Sequence, residues 1–322
     1  MNPLTLPTSI ADALRHSHWR ILVTGASGWL GQAALEMLSQ TLGSGWDDRV
    51  LAFGSRERQW SLRDGTRVQQ QPLASLSALP RQPSLLLHFA FLTREKTAQM
   101  PAQAYVDQNR ALSRLAAEGG AAVGVERAFV TSSGAVHAAL AAPDNHDPSL
   151  LYGRLKLEVE ALFQRFAQSY IPSRAFIARL FNLSGPYINK LDSYALASFI
   201  QQARKGQINI RATHPVIRSY TSAANLLAVA LGQLLAEQGA TYLCVETAGE
   251  AETEMGELAT AVRDGVAPNA VIQRTMLNAS PVDRYVGDGT AYRQLLADYG
   301  IAEHSLHRQI VDTADYLAGL GA

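Results

Sequence analysis

The sequence predicts an α/β protein: a Rossmann-type doubly wound parallel sheet with a smaller C-terminal α/β lobe. Three observations predict it. Short apolar runs, Arg20–Thr24 (RILVT), Leu85–Phe91 (LLLHFAF) and Arg127–Thr131 (RAFVT), read as strands covered on both faces. Stretches with helical spacing separate them, and that alternation builds parallel sheets. A glycine-rich turn, Thr24–Gly31 (TGASGWLG), joins the first strand to the first helix.

In chain order, Thr8 or Ser9 is placed to cap a short helix through Leu14, within an N-terminal appendage over residues 1–19. Arg20–Thr24 is the first strand. Gly28–Gln40 follows as a helix, with Leu30, Ala34, Leu35 and Leu38 on one apolar face. Val50–Phe53 is the second strand, closed by Gly54, and Leu85–Phe91 the next. A helix is expected from about Ala98 to Ala117, then a strand at Arg127–Thr131, a helix at Leu151–Phe166 and a strand at Ala175–Leu180. Right-handed crossovers put all strand C-termini on one edge, where ligands bind. Beyond Gly185-Pro186 the rhythm loosens. Ser193–Arg204 and Asn225–Gln238 read as helices and Gln207–Arg211 as a short alternating segment, with Pro268 and Pro281 punctuating the tail. Residues 20–180 are the expected dinucleotide-binding domain and 181–322 a substrate-binding lobe.

Composition narrows the partners. The 322 residues carry 28 Lys+Arg and 28 Asp+Glu, for zero net charge, and 47 % are apolar, which excludes a disordered chain. Neutrality removes the global electrostatic case for nucleic acid or an anionic membrane surface. No apolar stretch approaches a membrane span, and the N-terminus lacks the pattern of a signal peptide, so the expected location is the cytoplasm. Cys244 is the single cysteine, and no Cys/His cluster has metal-ligand spacing, so no metal is expected.

The turn has the chemistry of a phosphate cradle. Gly25 permits the tight turn, Gly28 lets the backbone approach a pyrophosphate and Gly31 lets the helix pack closely. The N–H groups of Trp29 and Leu30, with Ser27 in the turn, would hold the phosphates. An acidic residue ending the second strand binds a ribose 2′-hydroxyl, whereas a cation accommodates a 2′-phosphate. Here Ser55 and Arg56 follow Gly54 with no Asp or Glu at the strand end. NADP(H) is therefore favoured, with NAD(H) as the alternative.

Tyr152 and Lys156 stand four apart on a helix and share a face. A tyrosine serves as acid/base toward a hydroxyl or carbonyl once a neighbouring ammonium favours its phenolate. Thr131-Ser132-Ser133 closes a strand at the same edge, and a hydroxyl there can bond the same substrate oxygen.

With these pieces in order, the chain resembles the extended short-chain dehydrogenase/reductase family, the NAD(P)-dependent epimerase/dehydratase group acting on nucleotide sugars. TGASGWLG is similar to that family's TGxxGxxG, His88-Phe89-Ala90 to its HLAA, TSSGAV to its Ser-rich strand end, YGRLK to YxxxK and RLFNLSGPY to RxFNxxGP. IRSYTSAAN resembles the RDFxxVDD segment. The resemblance implies Ser133 as the catalytic hydroxyl, Tyr152 as the acid/base and Lys156 as the ligand of the nicotinamide ribose, with Ser132 and Tyr152 also binding the cofactor. It implies Ala90 lining that ribose, Asn182 and Arg218 holding a nucleotide diphosphate, and a homodimer built on helices near 98–117 and 151–168. His88 and Asn109 read as structural.

Departures narrow the chemistry. Related 4,6-dehydratases carry Asp-Glu after the catalytic hydroxyl, where this chain has Gly134-Ala135. His137 and Ala223-Ala224 also differ from the pattern. The expectation is hydride transfer at a keto or hydroxyl carbon of a nucleotide-linked sugar, with 4-keto reduction favoured over redox-neutral 4-epimerisation. The rivals are a non-catalytic NADP(H)-binding regulator and an enzyme of the same fold acting on a non-nucleotide carbonyl.

Overall fold

A computed structural model describes residues 3–145, 147–169, 173–249, 251–278 and 280–320. The chain divides into two compact units, one of residues 3–179 with 230–245, the other of 180–229 with 246–320.

The first unit opens with α1 (Thr8–His16), β1 (Arg20–Thr24) and α2 (Trp29–Leu42). The helix α1 is capped by Pro7, with no side-chain cap bond, so neither Thr8 nor Ser9 plays the expected role and the helix runs past Leu14. Then come β2 (Val50–Gly54), β3 (Arg58–Ser61), β4 (Arg67–Pro72) and β5 (Ser84–His88). The long helix expected from Ala98 is α3 (Ala102–Arg114); it starts after Pro101, whose missing N–H suits a helix entrance. Next are β6 (Val125–Ser133), α4 (Val136–Ala141), α5 (Leu151–Ser169) and β7 (Arg174–Leu180).

The second unit adds β8 (Leu183–Ser184), α6 (Ala195–Arg204), β9 (Gln207–Ile210), β10 (Val216–Ser219), β11 (Thr221–Ser222) and the first half of α7 (Ala223–Leu235), whose residues from 230 on belong to the first unit. Strand β12 (Tyr242–Thr247) belongs to the large sheet. It is followed by β13 (Glu252–Glu254), α8 (Met255–Val266), β14 (Val271–Arg274), β15 (Asp283–Tyr285), α9 (Thr290–Asp298) and α10 (Leu306–Gly319).

The eight-stranded sheet has the order β12-β7-β6-β5-β1-β2-β4-β3. Strand β1 runs parallel to β2 and β5, β5 to β6 and β2 to β4, while β3 returns antiparallel at the edge. The central strands β1 and β5 are buried along their whole length, as their unbroken apolar runs require. Leu22, Phe53, Leu86, Val130, Phe163 and Ile177 share one core cluster. The order reverses at β1, between β5 and β2, and the chain's glycine turn leaves β1 there.

In the second unit, β10 pairs with β13 antiparallel and β15 parallel, and the pairs β8–β11 and β9–β14 are parallel. Helix α8 packs on α6 and α10. Among the described residues no helix is long and apolar enough to cross a membrane, and no cluster of His, Cys, Asp and Glu could hold a metal ion.

Candidate active site

The glycine turn occupies the C-terminal end of β1. Gly25 has φ +70, where side-chain-bearing residues are strained, and a Cβ there would lie 2.7 Å from the Ala90 nitrogen. Gly31 packs against the Gly25 carbonyl and Ala26. The turn is tied down on both sides: Ala26 N–H donates to the Phe53 carbonyl at 3.0 Å and Phe89 N–H to the Thr24 carbonyl at 3.1 Å. Gly28 is extended, bonds back to the Gly25 carbonyl and caps α2 without any side-chain hydrogen bond. A helix that opens in this way at Trp29, Leu30 and Gly31 presents its first-turn N–H groups to an anion. The local shape therefore fits a dinucleotide, whose pyrophosphate those N–H groups would hold.

Beyond β2, Ser55 and Arg56 are exposed. Gln70, buried on β4, donates from Nε2 to the Arg56 carbonyl at 2.7 Å and so fixes the turn that carries them. The Arg56 side chain makes no hydrogen bond or ion pair among the described residues. Arg58 lies 5.6 Å from the Trp60 ring.

At the ends of β5 and β6 the remaining first-unit residues converge. Lys156 is 4 % exposed and donates from Nζ to the Thr131 carbonyl at 2.9 Å. Its Nζ stands 3.7 Å from the centre of the Phe91 ring and 5.9 Å from that of Tyr152. Phe91 meets Tyr152 edge to face, with centroids 5.8 Å apart. Ser133 is buried, and its Oγ accepts from the Ala135 N–H at 3.2 Å. Gly153 brings α5 into contact with the chain just after Ser133, because a Cβ there would strike the Ala135 carbonyl.

Burial pulls the Lys156 ammonium down to about 7, against the opposing pull of the Glu160 carboxylate. Glu160, one further turn along α5, is itself buried. It accepts from Ser132 Oγ at 2.6 Å and forms a two-pronged pair with Arg179 at 2.9 and 2.8 Å. The Ser132 hydroxyl is thus committed to Glu160. His88 bonds Thr24 Oγ1 through Nδ1 at 2.7 Å, and burial, with Lys156 nearby, holds it down to about 3. It is a neutral structural histidine at pH 7. Asn109 is also structural: its Oδ1 accepts from Leu92 N–H at 2.7 Å and fixes the loop that carries Ala90 and Phe91.

No role for Phe91, Gly153 or Glu160 is legible in the sequence, and Arg179 enters it only as the first residue of the RLFNLSGPY match. Spacing alone could have pointed to Glu160, since the positions 152, 156 and 160 share a helix face.

In the second unit, Asn182 donates from Nδ2 to the carbonyls of Ser219 at 3.2 Å and Tyr285 at 3.5 Å, so it spans β10 and β15. Arg218 is engaged by Asp283, whose carboxylate it meets at 2.8 and 3.2 Å and holds below the usual carboxylate range.

The parallel sheet, the glycine turn at its switch point and the open helix end define a Rossmann protein suited to a pyridine dinucleotide. The chain belongs to the NAD dependent epimerase/dehydratase family, whose model matches residues 21–236. Among solved structures it resembles the epimerase Mth375 from Methanothermobacter thermautotrophicus, at 18 % identity over 97 % of this chain and 96 % of that one, TM-score 0.73. A UDP-glucose-4-epimerase from Stenotrophomonas maltophila, with NAD and formylated UDP-arabinopyranose bound, matches at 19 % identity over 94 % and 99 %, TM-score 0.72. An NAD-dependent NDP-hexosamine 5,6-dehydratase of tunicamycin biosynthesis matches at 17 % identity over 93 % and 97 %, TM-score 0.68. No curated protein matches the chain.

Proposed function

We propose that the protein transfers a hydride at a keto or hydroxyl carbon of a nucleotide-linked sugar. The observation that carries the reading is the buried Lys156, held to the β6 carbonyl of Thr131 on the helix face it shares with Tyr152. A pyridine nucleotide, when bound at the glycine turn, supplies or accepts the hydride. Tyr152 gives a proton to the sugar oxygen or takes one from it, and Ser133 donates a hydrogen bond to that oxygen. Lys156 binds the nicotinamide ribose and places a positive charge by the phenol. Ala90 lines the ribose, and Ser132 braces the strand end through Glu160.

The cofactor we favour is NADP(H). Gly54 ends β2 without a carboxylate, and Ser55 and Arg56 are exposed beyond it. NAD(H) is the alternative, and five of the solved neighbours carry NAD-dependence or bound NAD in their descriptions. Comparing the affinities decides it: NADP(H) should bind more tightly, and Arg56→Ala should erase the difference.

Residues 20–180 would serve cofactor and chemistry, and 181–322 the substrate, with Asn182 and Arg218 binding its diphosphate. The lack of carboxyls at Gly134-Ala135 argues against 4,6-dehydration. Reduction of a 4-keto sugar suits an exchangeable NADPH. The epimerases among the neighbours favour the second reading, 4-epimerisation with retained cofactor. Turnover of a UDP-sugar panel separates the two: a reductase consumes one NADPH per product, and an epimerase consumes none. A family-like homodimer through α3 and α5, tested by sedimentation, and a cytoplasmic location complete the reading.

A further inference from the structure

The ring of Phe91 is the least expected neighbour of Lys156. It comes from the loop after β5, not from the helix or strand that carry the Tyr–Lys–Ser set. An ammonium has three N–H bonds to satisfy. In Lys156 one goes to the Thr131 carbonyl, and the face of Phe91 lies 3.7 Å from the same nitrogen. A ring face at that distance attracts a cation, and the attraction grows when water is excluded. The Phe91 loop is itself anchored, because Asn109 Oδ1 accepts from Leu92 N–H and Tyr105 Oη donates to the Leu92 carbonyl, both at 2.7 Å.

We propose that Phe91 is a positioning residue for the Tyr152–Lys156 pair: its face keeps the buried Lys156 in the charged form, and its T-shaped contact seats the Tyr152 ring. The proposal rests on the catalytic reading above and adds a residue to it.

Glu160 on α5 favours the charge on Lys156 but is shared with Arg179 and Ser132. His88 on β5 is neutral. Tyr152 lies one turn back on α5, and Thr131 on β6 offers only its carbonyl. Burial opposes the charge on Lys156, so the ring face works against the largest unfavourable influence on it.

The test replaces Phe91 with leucine, which keeps water out but has no ring face, and with a ring-fluorinated phenylalanine, which keeps the shape and removes the negative face. Lys156 is titrated directly by NMR on protein labelled at lysine nitrogen, with Lys156→Met assigning the signal. Turnover is followed against pH. Both variants should lower the Lys156 titration by about one pH unit, and the alkaline limb of kcat should move with it. Phe91→Trp should leave both in place. An unmoved titration in the fluorinated variant, or equal shifts in the leucine and tryptophan variants, would overturn the proposal. Because the titration needs no turnover, it decides the role of Phe91 even if the wild-type protein proves inactive on nucleotide sugars.

Discussion

Lys156 Nζ and the Thr131 carbonyl, 2.9 Å apart, join helix α5 to the end of strand β6. That bond, with the one from Ser132 Oγ to Glu160, spans the two elements that carry Tyr152 and Ser133. The relative placement of the phenol and the hydroxyl is therefore set by helix-on-strand docking, and substitutions that disturb the docking should act on turnover as well as on stability.

Gly153→Ala is the sharpest case. In an ordinary helix interior this change stabilises by about 1 kcal/mol. Here the added methyl would strike the backbone carbonyl of Ala135 and come within 3.2 Å of Ala139 Cβ. Backbone cannot swing aside, and overpacking costs about 1–3 kcal/mol. The clash should win: thermal unfolding should show a lower Tm, and kcat should fall more than tenfold because Tyr152 moves off its position. A stabilised, fully active variant would show that α5 is not seated by this contact.

Asn109→Ala removes the acceptor of the Leu92 N–H and the donor to the Tyr105 carbonyl, at a position 1 % exposed. A buried N–H left without a partner costs about 1–3 kcal/mol. Denaturant melts should show that loss, and nucleotide affinity should fall with it, since the same loop carries Ala90. Asn109→Asp keeps the acceptor and should recover part of both.

His88 makes stability fall in acid. Its pKa is about 3 in the folded protein against 6.5 as the ordinary value. Above pH 6.5 the residue is neutral in both states and contributes no pH dependence. Between 6.5 and about 3 only the unfolded chain takes up the proton, so stability falls as pH falls, by up to about 1.4 kcal/mol per unit. His88→Asn, which keeps an amide atom near Thr24, should flatten the slope of unfolding free energy against pH in that window. An unchanged slope would place the acid sensitivity elsewhere.

How much of this was legible in the sequence follows from where apolar runs were unbroken. Strands β1, β5 and β6 are buried on both faces and announce themselves. The hairpin β3–β4 does not. Arg58–Ser61 is exposed but for the half-buried Trp60, and β4 turns inward only Val68 and Gln70, so a buried amide breaks the alternation that marks a strand. Strand β12 was hidden differently: Tyr242–Thr247 is an edge strand whose mixed burial carries no clear period. In the site, residues recognisable by chemistry at fixed spacing were found, as with Tyr152 and Lys156. Phe91, Gly153 and the Glu160–Arg179 pair were not, because their roles come from contacts across the fold that spacing does not encode.

The measurement that bears most directly on the central claim is turnover of Tyr152→Phe. The substitution removes one hydroxyl and keeps the ring that meets Phe91 edge to face. Assayed beside wild type with the nucleotide sugar the wild type converts, it should lose at least a thousandfold in kcat. Its nicotinamide nucleotide affinity should stay within about threefold of wild type, since the phosphate cradle lies at the glycine turn. Turnover within tenfold of wild type would contradict the assignment of Tyr152 as the group that moves the proton.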